Sequence, residues 1–456
     1  MKNKFTSLFI TLCTSASLLA ASQSLSLDEA VEILKNQNLE IKSATLDIEV
    51  ATHDAKSVSG SHLGKLDFIQ DFANSNDAGN VFGFKLTSRE ATFGDFGFSD
   101  FLTPPPGTTN ILNVQPHDLN YPDSRNFFQS KLKYEIPVFT GFKITSYEEV
   151  MNSIKKIKKL EKSQVISEKI YETRKSFYDM ALLEESISNL KVILQNINTL
   201  ENITNEMISS GYAKKIDLLE VRAKKGNVER LISQLELNEK LLYHYISFLL
   251  NQKISSIQTS ALEIKMPSMT NSEILNKNLD IQMANSALSI KKSMISVSKS
   301  SLYPMVGAFA EVATADNNFL GNAGDHSSYT VGARATWNIF NGGIDSANIE
   351  KSKAEYLKTK TQVELANSGI ELKIEKIRTE IDSFNKDIES LEKELLLADE
   401  IYKNYETRYK EKLSSMSDVV IKQSEQIQKI LQLEETKNKR NERVFALEKL
   451  ANGENK

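Results

Sequence analysis

The residues able to do chemistry are spread without the groupings that chemistry needs. His53, His62, His117, His244 and His326 are scattered, and they show no metal-ligand spacing. No Gly-rich phosphate loop and no Gly-x-Ser-x-Gly elbow occurs. The 60 acidic and 56 basic residues nearly balance, to a net charge of −4. Runs such as Glu389 to Glu394 have the four-residue spacing of surface ion pairs on a helix. No catalytic residue, cofactor or metal site is expected, and no basic patch with interleaved aromatics makes a case for nucleic acid. Two carboxylates stand out by position. Asp217 and Asp418 lie 201 residues apart, each just after a break in a long periodic stretch. Such a place suits a helix cap, with Ser417 and Asp418 opening the following helix.

The elements that place these carboxylates are long helices. From Ile370 through Ile374, Ile377 and Ile381 to Tyr402, Tyr405 and Tyr409, apolar residues recur at alternating steps of four and three. That 3.5-residue repeat is the seam of helices in a left-handed supercoil, roughly 60 Å long at 1.5 Å per residue. The tyrosines at its end are first of all seam residues. A helix of this length has no globular core to lie on, so its partners must be other long helices.

The chain is a duplication. Asn36-Gln-Asn-Leu-Glu-Ile41 recurs as Asn276-Lys-Asn-Leu-Asp-Ile281, and Val138-Phe-Thr-Gly141 as Ile339-Phe-Asn-Gly342. Part of the seam recurs too, with Met180, Ile187 and Ile197 opposite Ile381, Ile388 and Ala398. Each copy reads helix, strand, loop, strand, very long helix, break, return helix. The first repeat spans 23–255, with strands near 64–73 and 126–140 and a long extracellular loop at 74–125. Its long helix runs over 143–208, its tip over 209–216 and its return helix over 217–250. A polar linker covers 256–272. The second repeat spans 273–450, with strands near 304–314 and 328–340, a long helix at 345–410, a tip at 411–416 and a return helix at 417–450. Residues 1–22 read as a cleaved signal peptide: Lys2 and Lys4, an apolar stretch too short to span a membrane, then Ala20-Ala21-Ser22. The only cysteine, Cys13, lies inside that segment.

The strands alternate. Tyr329, Val331, Ala333 and Ala335 share one face and Thr330, Arg334 and Thr336 the other; Leu132, Tyr134 and Ile136 oppose Lys131, Lys133 and Glu135. Nothing in the chain could cover the apolar face, since the helices use their seams on one another. Membrane β-barrel strands have this pattern, apolar to lipid and polar to a lumen. Four strands cannot close a barrel, because about eight is the minimum, so the chain should oligomerise, two copies giving eight strands and three giving twelve. Trp337 suits an anchor at the membrane interface.

At this point the chain resembles the TolC-like outer membrane efflux proteins. The resemblance rests on the strand-to-helix corner Trp337-Asn-Ile-Phe-Asn-Gly-Gly343, with its weaker copy Ile136-Pro-Val-Phe-Thr-Gly-Phe142. It rests also on the tip segment Gly211-Tyr-Ala-Lys-Lys-Ile-Asp217, echoed by Ser415-Met-Ser-Asp418. Gly141, Phe340, Asn341, Gly342 and Gly343 are the corner residues of that pattern. The resemblance implies a mainly α-helical homotrimer with a twelve-stranded barrel in outer membrane lipid, continued by a helical tunnel through the periplasm. It implies docking to a periplasmic adaptor and an inner-membrane transporter of the RND or ABC type. Asp418 matches an acidic ring at the tunnel's constriction, Tyr409 a tip tyrosine, and Asp217 the acidic position of the first copy. Ser414 and Ile421 stand where the family has a tip arginine and a second acidic ring. The function expected is a passive exit duct for small toxic compounds. Type I protein secretion, or a periplasmic coiled-coil scaffold without a pore, are the alternatives.

Overall fold

The computed structural model describes residues 24–259, 264 and 266–452. The segment 1–22 read as a signal peptide lies outside the described residues, as do residues 260–263 and 265 of the linker. In chain order, α1 (Leu27–Gln37), α2 (Leu39–Gly60) and β1 (Lys65–Ser75) come first. Then follow α3 (Ala78–Thr87), α4 (Phe98–Leu102), α5 (His117–Asn120), β2 (Arg125–Phe139), α6 (Lys143–Ser209) and α7 (Lys215–Leu249). The second copy holds α8 (Asn271–Lys277), α9 (Leu279–Lys299), β3 (Met305–Asp316), β4 (Ser327–Thr336), α10 (Ile344–Lys410) and α11 (Met416–Leu450). The duplicated unit is borne out, as is the fold class, mainly helix with one small antiparallel sheet. The two long helices have 67 residues each, roughly 100 Å at 1.5 Å per residue.

The structure refines the sequence reading at three places. The stretch 74–125 is folded rather than a plain loop: Asp77 caps α3 by accepting the Asn80 N–H at 3.0 Å. β4 stops at Thr336, which pairs with Met305, the first residue of β3. Residue 304 is a proline with no N–H to donate, so the strand expected up to 340 has no partner beyond that pair. The first helix of each copy is split, by Asn38 and by Asn278.

By its contacts the chain divides into two units, and each unit draws on both repeats. One comprises Met1–Leu46, Leu160–Ile281 and Asn367–Lys456; the other comprises Asp47–Lys159 and Gln282–Ala366. The second unit holds the sheet, a meander in the order β1-β2-β3-β4 with every pair antiparallel. The β2–β3 ladder joins the two repeats, with a register shift between Pro137 and Phe139.

In the first unit the seam is buried near its two ends, and Phe384, Ile388, Leu391, Leu395 and Ala398 between them are half-buried. Ile374 and Ile381 are fully buried, and with Ile377 they pack on Val444 and Leu447 of α11 and on Ile274 of α8. Tyr402 and Tyr409 pack in a second cluster with Leu190 and Ile197 of α6 and Val221 and Val228 of α7. The recurring Asn-x-Asn-Leu motif serves a definite purpose here. Asn38 Nδ2 donates to the Leu249 carbonyl at 2.8 Å, and its Oδ1 accepts the N–H groups of Glu40 and Ile41 at 2.9 and 3.0 Å. Asn278 repeats this on the Leu450 carbonyl and the Ile281 N–H, both at 3.1 Å. Each buried asparagine caps the restarted helix and fastens it to the end of its own return helix. Asn38→Ala or Asn278→Ala leaves buried backbone groups without partners, an expected loss of about 1–3 kcal/mol each. Urea unfolding followed by circular dichroism reads that loss directly; an unchanged midpoint contradicts the clamp.

Candidate functional site

The first candidate site is the sheet, where register decides which side chains share a face. Leu66, Phe68 and Phe72 of β1 stand beside Tyr134, Leu132 and Phe128 of β2. Leu132 in turn pairs with Val312 of β3, and Val312 with Tyr329 of β4. One continuous apolar face results, and it is open: Phe68, Phe72, Val312, Tyr329 and Val331 are all more than half exposed. Aromatic groups stand at both of its ends. Phe72, Phe128 and Phe319 cluster at one, with centroids 5.4–6.4 Å apart. Phe139, Phe142 and Tyr303 cluster at the other, at 5.3–6.4 Å. Trp337 is exposed at that second end, where its indole N–H donates to the Leu302 carbonyl at 3.2 Å.

The opposite face is polar and internally paired. Lys65 bridges Asp67 and Glu135 at 3.0 and 3.2 Å, Lys133 meets Glu135 at 2.7 Å, and Lys131 meets Glu311 at 3.4 Å. An open hollow of about 680 Å³ by the same face is lined by Lys65, Lys133, Glu135, Glu311 and Arg334. Phe309 lies over its cross-strand partner Gly332, where an added Cβ would stand 2.7 Å from the ring. None of the helices among the described residues is long and apolar enough to cross a membrane.

The strand-to-helix corners differ between the copies. Gly141 has φ +61°, and a Cβ there would stand 2.5 Å from the Ser300 carbonyl oxygen and 2.9 Å from Tyr303 Cβ. Gly342 and Gly343 have φ +68° and +88°, yet a Cβ at either meets nothing within 4 Å. Phe340 is almost fully exposed. α10 begins at Ile344, and the Asn341 side-chain oxygen accepts the Asp345 N–H at 3.5 Å. Gly141→Ala must displace backbone in addition to adopting a left-handed conformation, which alone costs roughly 1–2 kcal/mol. The expected result is a folding defect in the single chain, seen as loss of soluble, protease-resistant material after refolding; wild-type yield contradicts it.

The second candidate site is the pair of tips in the first unit. Asp418 does not open its helix; Ser415 is the cap, and Asp418 is the third helical residue of a capping box. Its Oδ2 accepts from the Ser415 hydroxyl at 2.6 Å and the Ser415 N–H at 3.2 Å, with the Ser414 hydroxyl at 3.4 Å. These bonds from Ser415 hold its carboxyl below the usual carboxylate range. Asp217 likewise accepts the Lys214 N–H at 2.7 Å and is half-buried, whereas Asp418 is exposed. Tyr409 is buried, with its hydroxyl 3.5 Å from Thr204 Oγ1. Burial pushes its phenol up, and the nearby Asp217 charge adds to this.

Three further residue pairs join or brace the tips, and their pairing was not read from the sequence. Lys412 Nζ stands 3.1 Å from the centroid of the Tyr212 ring, a cation–π contact between the two tips. Lys224 Nζ of α7 donates to Ser424 Oγ of α11 at 2.7 Å, and burial lowers the lysine's pKa. Gln423 Nε2 donates to the buried Tyr402 hydroxyl at 3.3 Å. A signal for Lys224 was present: with Val221 and Val228 it occupies a three-four heptad step where apolar residues belong.

Residues 271–453 match the family model described as outer membrane efflux protein. Nodulation protein T from Rhizobium leguminosarum bv. viciae is 23% identical over 188 residues, which are 40% of this chain and 39% of that protein. The matched part is thus about two fifths of that relative's length. Solved channel structures align over nearly the whole chain. CusC aligns with a TM-score of 0.77 at 13% identity, over 93% of this chain and 91% of its own. VceC from Vibrio cholerae aligns with a TM-score of 0.73 at 14% identity, over 94% and 96%. The likeness to TolC-like outer membrane efflux channels read from the sequence is borne out, and the fold is theirs.

Proposed function

We propose that this chain, with the outer membrane efflux fold and a family match over its second repeat, is the exit duct of a tripartite efflux system. In this reading it is a homotrimer of the Gram-negative outer membrane that reaches into the periplasm. It exports small toxic compounds passively. An inner-membrane transporter supplies the energy and a periplasmic adaptor makes the connection. The observation that carries the reading is the sheet with one apolar face uncovered and the other lined by paired charges. In water such a face exposes large apolar side chains; against lipid it is satisfied, with aromatic groups at both ends of the strands.

Closure by further copies is supported by the two sheet edges. β1 and β4 are both unpaired on their outer sides, an arrangement proteins otherwise avoid. The duplication supports one way of completing them. Gly141 is covered by Ser300 and Tyr303. At the offset of 240, their first-repeat equivalents are Gly60 and Leu63, and Leu63 is 73% exposed. Gly342, the equivalent of Gly141, faces open space. A neighbouring copy that brings its Gly60–Leu63 segment to Gly342 repeats the inner joint at the subunit boundary, and three copies close twelve strands. Exposed apolar residues on α7 (Leu237, Leu241, Tyr245 and Phe248) supply a second helical stripe for such neighbours. Gly342→Ala should therefore leave the single chain folded but cut the yield of heat-resistant trimer in detergent. A Gly342→Ala trimer as abundant as wild type removes this joint from the interface.

Asp418 serves in this reading as an acidic ring near the tips, made threefold by symmetry and able to hold cations. Asp217 and Tyr409 stand beside it as lesser gate contacts. The lowered pKa keeps Asp418 ionised as pH falls, until the pH passes below the ordinary carboxylate range. Asp418→Ala should weaken block of the channel by multivalent cations; unchanged block places the ring elsewhere.

A further inference from the structure

The segment between β1 and β2 does not lie where an extended surface loop would. α3 contacts β3, and the Phe84 ring stacks on Phe127 with centroids 4.2 Å apart. Phe127 has the strand parity of Gln129, Lys131 and Lys133, and Ala313 and Ala315 have that of Glu311. Those parities define the polar face. Phe127, Ala313 and Ala315 are buried at 8%, 6% and 2% exposure, and Val81 of α3 at 2%. The small alanines make a seat for a helix on the one face otherwise filled by charged side chains. The stretch that follows is itself braced: Phe82 meets Phe96 edge to face at 5.1 Å, Lys85 pairs with Asp95, and Thr92 and Asp95 form a capping box.

A second set of contacts ties this segment to the rim of the sheet. The Glu90 carboxylate pairs with the guanidinium of Arg125, the first residue of β2. Asp316, the last residue of β3, accepts the N–H groups of Asn318 and Asn322 at 3.2 and 2.8 Å and stands 2.9 Å from His326 Nδ1. Glu90, Asp316 and His326 have ligand atoms within 4.8 Å of one another, a spacing that could hold a metal ion. The Arg125 guanidinium already supplies the cation to Glu90, so the cluster reads as a latch.

We propose that the segment from Asp77 to Asp95 is a plug, folded onto the lumen-facing side of the sheet and latched at its rim, which narrows the mouth of the duct. The proposal rests on the duct reading above, since the polar face is the lumen face only if the sheet closes into a barrel. Threefold symmetry then sets three α3 helices into one mouth.

The test uses the full-length trimer in planar lipid bilayers. Replacing Asp77–Asp95 with a short Gly-Ser linker should raise single-channel conductance by at least about twofold, because the narrowest section governs flow. A second variant covers poor assembly of the first. Phe84→Cys with Phe127→Cys, in a mature chain read as free of other cysteines, is bridged by a cleavable thiol cross-linker. The bridged trimer should stay at its lowest conductance level and regain openings on reduction. Equal conductance with and without the segment, or a bridged trimer that conducts as freely as the linker variant, overturns the plug and leaves the duct intact. Absence of conductance in every variant and in wild type overturns both.

Discussion

Val331→Arg should yield no heat-resistant trimer in the outer membrane fraction, while Thr330→Arg, one residue earlier, should assemble normally. The two positions differ only in face. Val331 pairs with Ala310 on the apolar side and is 73% exposed in the single chain. Thr330 pairs with Glu311 on the polar side, where a new guanidinium gains a carboxylate across the strand. An arginine on the lipid face of a membrane barrel costs about 2–4 kcal/mol near the bilayer midplane. That cost is incurred once per copy. In a water-soluble sheet the order reverses, because an arginine replacing an exposed valine is harmless or helpful there. Quantitative blotting of unheated membrane samples separates the two cases, and comparable trimer from both variants removes the membrane from the account.

The second large effect lies in the helical unit. Ile381→Ala should destabilise it by about 2–5 kcal/mol, the range for large-to-small changes at fully buried sites. Ile381 is at 0% exposure in the cluster with Ile374, Ile377, Val444 and Leu447. No local collapse readily fills the space, since the preceding turn of the seam holds Ile377, whose χ1 is restricted, and the following turn holds the rigid ring of Phe384. Lys393→Ala, on an exposed turn of the same helix, should change stability by less than about 0.5 kcal/mol. Urea titration of the two variants in one detergent gives the comparison. Similar midpoints for both mean that the heptad seam is not what holds α10.

Much of the fold was legible because period carries it. The 3.5-residue seam of α10 and the two-residue alternation of β2 and β4 each follow from which side chains must leave water together. The doubling of the chain was visible in short matched motifs, and the element order follows it. α3 was not legible: Ala78–Thr87 holds two glycines and two phenylalanines without a helical apolar stripe, and the Phe84 ring finds its partner, Phe127, on the sheet. The sequence marked Asn38 and Asn278 as a repeat without saying why. Their role depends on the Leu249 and Leu450 carbonyls, far along the chain. The cap of α11 was placed late, at Ser417 and Asp418, because Ser415, Ser417 and Asp418 are all good cap residues and only backbone geometry selects Ser415. The corner glycines matched by sequence turned out unequal. Gly141 is enclosed by its own chain, and Gly342 is open.

The central claim is that this chain makes a water-filled path through a lipid bilayer. Single-channel recording tests it most directly, with purified trimer added to a planar bilayer under an applied voltage. The account predicts discrete, uniform conductance steps from wild type and none from Val331→Arg. Protein that purifies without detergent as a monomer and gives no conductance steps at any concentration would contradict it.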